Sequence, residues 1–235
     1  MGGTFYVNTK KNSKHLWIIP VYGIFYMLSF SFLENHVVDH REIIQSRLDD
    51  LIPFSEIFVI PYFLWFLYIA ATVIYFALFQ KNIKDYYHLI ATLAIGMTLF
   101  LVISLLWPNG HTLRPRSFER DNIFVDMVRY LYTIDTPTNI FPSIHVFNSV
   151  ACCIAIRSSS ALKKHRILQT CVFLLTVSIV MATVFLKQHT IIDVIAALVL
   201  NLICFQLIYK YQSILAFIKS LGEKRKKKIF HSDIF

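Results

Sequence analysis

The sequence predicts an all-α, polytopic membrane protein built on six transmembrane helices. Three observations carry that reading. Of 235 residues, 56% are hydrophobic and 16% charged, whereas a soluble domain carries charge on nearer a quarter of its residues. The apolar residues gather in long blocks, each near the roughly 20 residues that a bilayer crossing requires. The charged residues fall in the short stretches between the blocks.

The first block, Leu16–Leu33, is followed by no alanine-rich cleavage site, so it reads as a retained span and not a signal peptide. In the stretch 34–56, Glu34, Asp39, Arg41, Glu42, Asp49 and Asp50 are interleaved with Ile43, Ile44, Leu48 and Leu51. This pattern predicts a short amphipathic helix lying along the interface. Ile57–Leu78 and Tyr87–Leu106 are the second and third spans, and 107–141 reads as a loop. Pro142–Arg157 is the shortest block. Its opening proline suits a first helical turn, where the missing N–H costs nothing. Ser143 and His145 then stand in that first turn, at the membrane edge. Ile167–Leu186 and Thr190–Tyr209 complete the six. One membrane domain over 1–235 is expected, with a catalytic motif region at 107–197 and a basic cytoplasmic tail at 222–235.

The net charge of +9 raises the possibility of nucleic acid, but its placement excludes that reading. Lys224, Arg225, Lys226, Lys227 and Lys228 directly follow the last apolar block. A juxtamembrane cationic run meets anionic lipid headgroups and fixes orientation. With six spans, the side holding both termini carries 16 Lys/Arg and the opposite side 7. The positive-inside rule therefore predicts cytoplasmic termini, most simply in the plasma membrane. Arg114, His145 and His189 then share the extracytoplasmic face. The four cysteines (Cys152, Cys153, Cys171, Cys204) lie in apolar blocks and read as small packing residues. No Cys/His spacing for zinc is present, and neither a metal nor a cofactor is expected. Oligomeric state is not legible.

Three segments carry candidate chemistry: Leu113-Arg114-Pro115, Phe141-Pro142-Ser143-Ile144-His145, and Lys187 through Asp193. His189 and Asp193 are four apart, which puts them on one helical face. An ionised Asp193 there fixes the imidazole tautomer and leaves the other nitrogen as a nucleophile. Equally, the pair is a cap at the start of a span. His145 sits at a helix N-terminus, where N–H groups and the dipole favour an anion, and a protonated His145 can give its proton to a leaving oxygen. Ser143 is an N-cap or a hydroxyl donor. Arg114 offers the bidentate geometry that phosphate oxygens prefer. Lys187 is a snorkelling anchor or a second phosphate cation.

Arg-Pro, Pro-Ser-x-His and His-x-x-x-Asp, in this order on one face, resemble the type 2 phosphatidic acid phosphatase (PAP2) superfamily, which also includes soluble vanadium haloperoxidases. The resemblance implies a six-span helical bundle with His189 as nucleophile, Asp193 as its orienting partner and His145 as general acid. It implies Arg114 and Ser143 as phosphate ligands. The pattern Lys-x6-Arg-Pro, Pro-Ser-Gly-His and Ser-Arg-x5-His-x3-Asp is broken at three places, where Trp107, Ile144 and Ala182-Thr183 stand. Lys187 is the candidate replacement for one missing cation, and His111 and Asn109 are loop candidates. The run Thr183 to His189 is similar to a divergent branch with inositol phosphorylceramide synthase-like members. The resemblance thus implies a metal-independent lipid phosphatase working through a phosphohistidine on a lipid phosphate substrate. Head-group transfer to an alcohol is the alternative, and a non-catalytic lipid-binding or transport role stands third.

Overall fold

A computed structural model describes residues 13–36 and 41–211. The basic tail at 222–235 and Asp39 lie outside the described residues. The helices are α1 (Ile18–His36), α2 (Arg47–Leu51), α3 (Val59–Leu78), α4 (Ile83–Leu106), α5 (Ile123–Ile134), α6 (Ile144–Ser158), α7 (Arg166–Phe185) and α8 (Ile191–Cys204). α8 runs on as a π-helical segment, Phe205–Lys210. The chain is an all-α polytopic membrane protein.

Five helical stretches are long and apolar enough to cross a bilayer; the sixth expected span, α6, has only 15 residues. At 1.5 Å per residue it reaches about 22 Å, short of a ~30 Å hydrocarbon core. Its shortness follows from its place: α6 packs against α3, α4, α7 and α8 at the centre of the bundle. Its buried face carries Ser149, Ala151, Cys152, Cys153 and Ala155, small side chains that let neighbouring backbones approach. Gly96 of α4 meets the Phe147 side chain of α6. A Cβ there would stand 1.9 Å from the Phe147 ring, so only glycine fits.

Cys152, Cys153 and Cys204 are buried free thiols, as packing residues should be. Cys171 departs from the expectation: it is exposed on α7 and points out of the bundle. α1 lies on α4, where the Tyr22 hydroxyl meets the Ala94 carbonyl at 3.0 Å and Thr98 Oγ1 at 2.9 Å. Its other faces are largely exposed apolar surface. At the basic end of the bundle, Gln80 donates to Asp85 at 2.9 Å and to Ser159 at 2.6 Å, joining the α3–α4 and α6–α7 turns.

The opposite end meets one expectation in altered form and departs from another. The short helix expected in 34–56 is present as α2, docked on the bundle. Glu42–Ile43 pairs in parallel with Asn109–Gly110, and α2 spans five residues. Asp49 holds the helix there. Its carboxylate turns inward, accepting from Ser46 N at 2.7 Å and from Ile191 N at 2.7 Å, so the helix docks on the bundle by its polar side. Secondly, 107–141 contains α5. Asn122 caps it, accepting from Phe124 N and Val125 N at 3.0 Å. Val125, Val128 and Leu131, spaced at 3, bury its inner face.

Candidate active site

Two helix starts meet at this end. His145 occupies the first turn of α6, and His189 sits just before α8. Their imidazoles face each other, His145 Nδ1 to His189 Nε2, at 3.3 Å. Behind His189, its Nδ1 lies 3.4 Å from Asp193 Oδ2. Asp193 is fully buried and held by a reciprocal cap: Thr190 N donates to its carboxylate at 2.8 Å, and its own N–H donates to the Thr190 hydroxyl. The three catalytic candidates are therefore in line.

The Asp193 carboxylate beside His189 Nδ1 favours the tautomer with hydrogen on that nitrogen, although Nδ1 makes no hydrogen bond among the described residues. That tautomer leaves Nε2 its lone pair and makes His145 Nδ1 the donor between the rings. The His145 ring is flanked by Tyr62 at 4.7 Å and Trp65 at 4.4 Å between centroids. Its carbonyl accepts from Trp65 Nε1 at 3.1 Å and Ser149 Oγ at 2.6 Å.

The turn that carries His189 is tied down from several directions. Gln188 N and His189 N both donate to the Thr183 carbonyl, at 2.9 and 3.0 Å. Thr183, one of the positions that break the family pattern, thus builds the turn that carries His189. The Tyr132 hydroxyl donates to the Leu186 carbonyl at 2.8 Å, and Ser55 N to the Phe185 carbonyl at 3.1 Å. His111 accepts from Leu113 N on Nδ1 at 3.1 Å, so its Nε2 carries hydrogen and donates to the Gln188 carbonyl at 3.0 Å. Burial first, and the neighbouring His189 second, push the His111 pKa down to about 4. It is a neutral strut at pH 7 and supplies no cation.

Asn109, the other loop candidate, is also structural. Its side-chain oxygen accepts from Ile140 N at 2.9 Å and Phe141 N at 3.0 Å, shaping the entry to α6. Trp107, at the first-motif lysine position, caps α4 and donates to Glu42 at 2.7 Å.

The expected phosphate ligands fare unevenly. Arg114 lies behind the histidines, donating to the Tyr132 carbonyl at 3.3 Å, the Asp135 carbonyl at 2.6 Å and the Gln188 side-chain oxygen. Its guanidinium stacks 4.4 Å from the Tyr132 ring centroid, and burial lowers its pKa. Ser143 is fully buried, and its hydroxyl accepts from Val146 N at 3.3 Å as the α6 cap. Lys187 is turned away from the histidines. Its ammonium donates to the carbonyls of Asp49 and Ile52, both at 2.6 Å, closing the C-terminus of α2. Burial depresses its pKa, and Asp49 and Asp50 partly restore it.

The histidines form the floor of a cavity of about 290 Å³ among α1, α3, α4 and the α5–α6 loop. Tyr26, Phe30, Trp65 and Phe66 line its apolar part. Two lining residues were not legible from sequence. Gln188 is 2% exposed; its oxygen accepts from Arg114, so its Nε2 is fixed as a donor, and that nitrogen has no partner among the described residues. Asp135 accepts from the Tyr62 hydroxyl at 2.6 Å. No other signal in the chain marked either residue.

Residues 113–215 match the family model described as the PAP2 superfamily. No curated protein and no solved structure matches.

Proposed function

We propose that this chain, whose residues 113–215 match the PAP2 superfamily model, is an integral-membrane lipid phosphatase working through a phosphohistidine on His189. The carrying observation is the line Asp193–His189–His145, with contacts of 3.4 and 3.3 Å, on the floor of an apolar cavity. In this reading a lipid phosphate enters with its tail along the aromatic wall. The phosphoryl group parts the two rings.

His189 Nε2 attacks phosphorus while Asp193 stabilises the imidazolium that develops. The P–O bond to the lipid alcohol breaks, and the departing oxygen takes the Nδ1 proton of His145 in its imidazolium form. His145, now neutral on that nitrogen, accepts a proton from water. The resulting hydroxide attacks phosphorus, the N–P bond breaks, and inorganic phosphate leaves. Gln188 Nε2 and the first N–H groups of α6 hold the phosphoryl oxygens. Arg114 polarises Gln188 from behind and remains a cation. No metal enters the scheme, because imidazoles and fixed dipoles take its roles.

The Lys/Arg excess of the opposite end supports an extracytoplasmic site and cytoplasmic termini. A second reading, transfer of the phosphoryl group to an alcohol, is supported by the room beside the histidines. It shares the first step and differs in the acceptor.

The test is phosphate release from short-chain phosphatidic acid by purified protein in detergent, with and without EDTA. Release that survives EDTA and falls by three orders of magnitude or more in His189→Ala is expected. Full activity in His189→Ala defeats the nucleophile assignment, and loss with EDTA defeats the metal-free scheme. A new phosphorylated product when alcohols are supplied favours transfer over hydrolysis.

A further inference from the structure

The charges around the two histidines are poorly matched to a doubly charged phosphate. Among the described residues, no lysine or arginine lines the cavity that His145 and His189 floor. Arg114 lies behind it. Its guanidinium is engaged by the Tyr132 and Asp135 carbonyls and the Gln188 side-chain oxygen, with the Asp135 carboxylate beside it. Lys187 turns its ammonium to the Asp49 and Ile52 carbonyls. His111 is neutral at pH 7.

Negative charge stands closer. The Asp135 carboxylate is on the cavity wall, bonded by the Tyr62 hydroxyl at 2.6 Å. Asp193 lies 3.4 Å behind His189. Glu34 accepts from Thr136 and, at 3.3 Å, from Asn139, two residues of the same wall. These groups amount to one cation and three carboxylates. What remains to hold phosphoryl oxygens is neutral: Gln188 Nε2 and the first N–H groups of α6.

A phosphate monoester loses its second proton near about pH 6. The dianion carries two charges into a cavity walled by Tyr26, Phe30, Trp65 and Phe66. An apolar wall penalises each charge, and neighbouring carboxylates penalise the second one further.

We infer that the site takes its lipid phosphate as the monoester monoanion, with one acidic proton retained, and discriminates against the dianion. The inference rests on the phosphatase reading above. The proton count closes. A monoanion beside a neutral His145 holds the same protons as a dianion beside the imidazolium that gives up its Nδ1 proton. The substrate thus brings in the proton that the departing alcohol takes.

The test uses two probes that cannot be hydrolysed, decylphosphonate and α,α-difluorodecylphosphonate. They share a tail, and the fluorines bring the second ionisation well below that of the plain phosphonate. At pH 7 the first is mostly monoanion and the second mostly dianion. Each is titrated against the full chain in non-ionic detergent and read by thermal shift. Binding of decylphosphonate should be about tenfold or more tighter at pH 7, and the gap should close to about twofold at pH 5, where both are monoanions. The titratable groups lining the cavity, Asp135, His145, His189, Tyr26 and Tyr62, act on both probes alike, so the ratio reads the ionisation of the probe. Asp135→Asn keeps an oxygen for Tyr62 and removes one negative charge, so it should shrink the ratio several-fold. Equal affinities at pH 7, tighter binding of the difluoro probe, or binding of neither overturns the inference, as does a ratio that Asp135→Asn leaves whole. Should that variant not fold, the ratio in the unaltered chain decides alone. Phosphate release is scored separately. The expected ratio without turnover of phosphatidic acid removes the phosphatase reading and leaves the monoanion site standing; turnover without the ratio does the reverse.

Discussion

Replacing Lys187 by methionine separates two roles that the sequence leaves open. Methionine keeps the length and loses the charge. In the fold, the Lys187 ammonium donates to two carbonyls at 2.6 Å, on Asp49 and Ile52, and residue 187 is 8% exposed. Hydrogen bonds from a charged donor contribute about 1.5–3 kcal/mol each, less the cost of burying the charge. The net loss on removing both is therefore roughly 2–4 kcal/mol. For a chain of this size that lowers the unfolding temperature by about 4–16 °C.

The consequence for chemistry is indirect. Lys187 joins α2 to the turn that carries His189, and Asp49 caps Ile191 at 2.7 Å on the far side of the same turn. Loosening this strap should lower kcat while leaving KM within about twofold, since binding geometry outside the turn is intact. Thermal unfolding in detergent and steady-state turnover of a short-chain lipid phosphate measure the two effects. An unchanged unfolding temperature with a KM raised tenfold or more would show that Lys187 reaches the phosphate, refuting its assignment as a strap.

Three further outcomes follow from the same geometry. His111 is neutral in the fold with a pKa of about 4 against an ordinary value of 6.5. The unfolded chain binds a proton there between those values and the folded one does not, so this contribution is fully present above pH 6.5 and lost as pH falls toward 4, by about 3 kcal/mol. His111→Gln should flatten that part of the stability–pH curve in detergent, and an identical slope in both proteins would contradict the assignment. Gln188→Leu removes the unpartnered donor and the Arg114 contact, so KM for a lipid phosphate should rise about tenfold or more; an unchanged KM would exclude Gln188 from phosphate binding. Gly96→Ala drives a Cβ to 1.9 Å from the Phe147 ring and should cost about 1–3 kcal/mol, seen as a lower unfolding temperature, whereas a neutral result would mean α4 and α6 do not pack so closely.

Much of this was legible before the fold. The spans are written in blocks of apolar residues, because a bilayer imposes length and composition on each helix independently of its neighbours. The histidines and Asp193 were legible for a similar reason: the His189–Asp193 spacing is local, and Pro142 and Ser143 mark a helix start around His145. What stayed hidden depends on distant contacts. Asp49 looks like one more acid on an interfacial stretch until Ile191, 142 residues away, donates to it. Gln188 and Asp135 have no motif, and their roles come from Arg114 and Tyr62. Lys187 stands two residues from His189, but the chain at Lys187 has φ of 51°, which sends its side chain to α2 instead of the cavity. α5 carried a readable signal, an Asn122 cap and apolar residues at 125, 128 and 131, hidden in a stretch whose charges read as loop.

The account stands on one atom, Nε2 of His189. Incubating the purified protein with a lipid phosphate labelled on phosphorus and quenching in alkali tests it most directly, because phosphohistidine survives alkali and is lost in acid. The expected result is acid-labile label on the unaltered chain, none on His189→Ala, and label that persists on His145→Ala when the substrate carries a good leaving group that departs without an acid. Acid-stable label, or label that remains on His189→Ala, would contradict it.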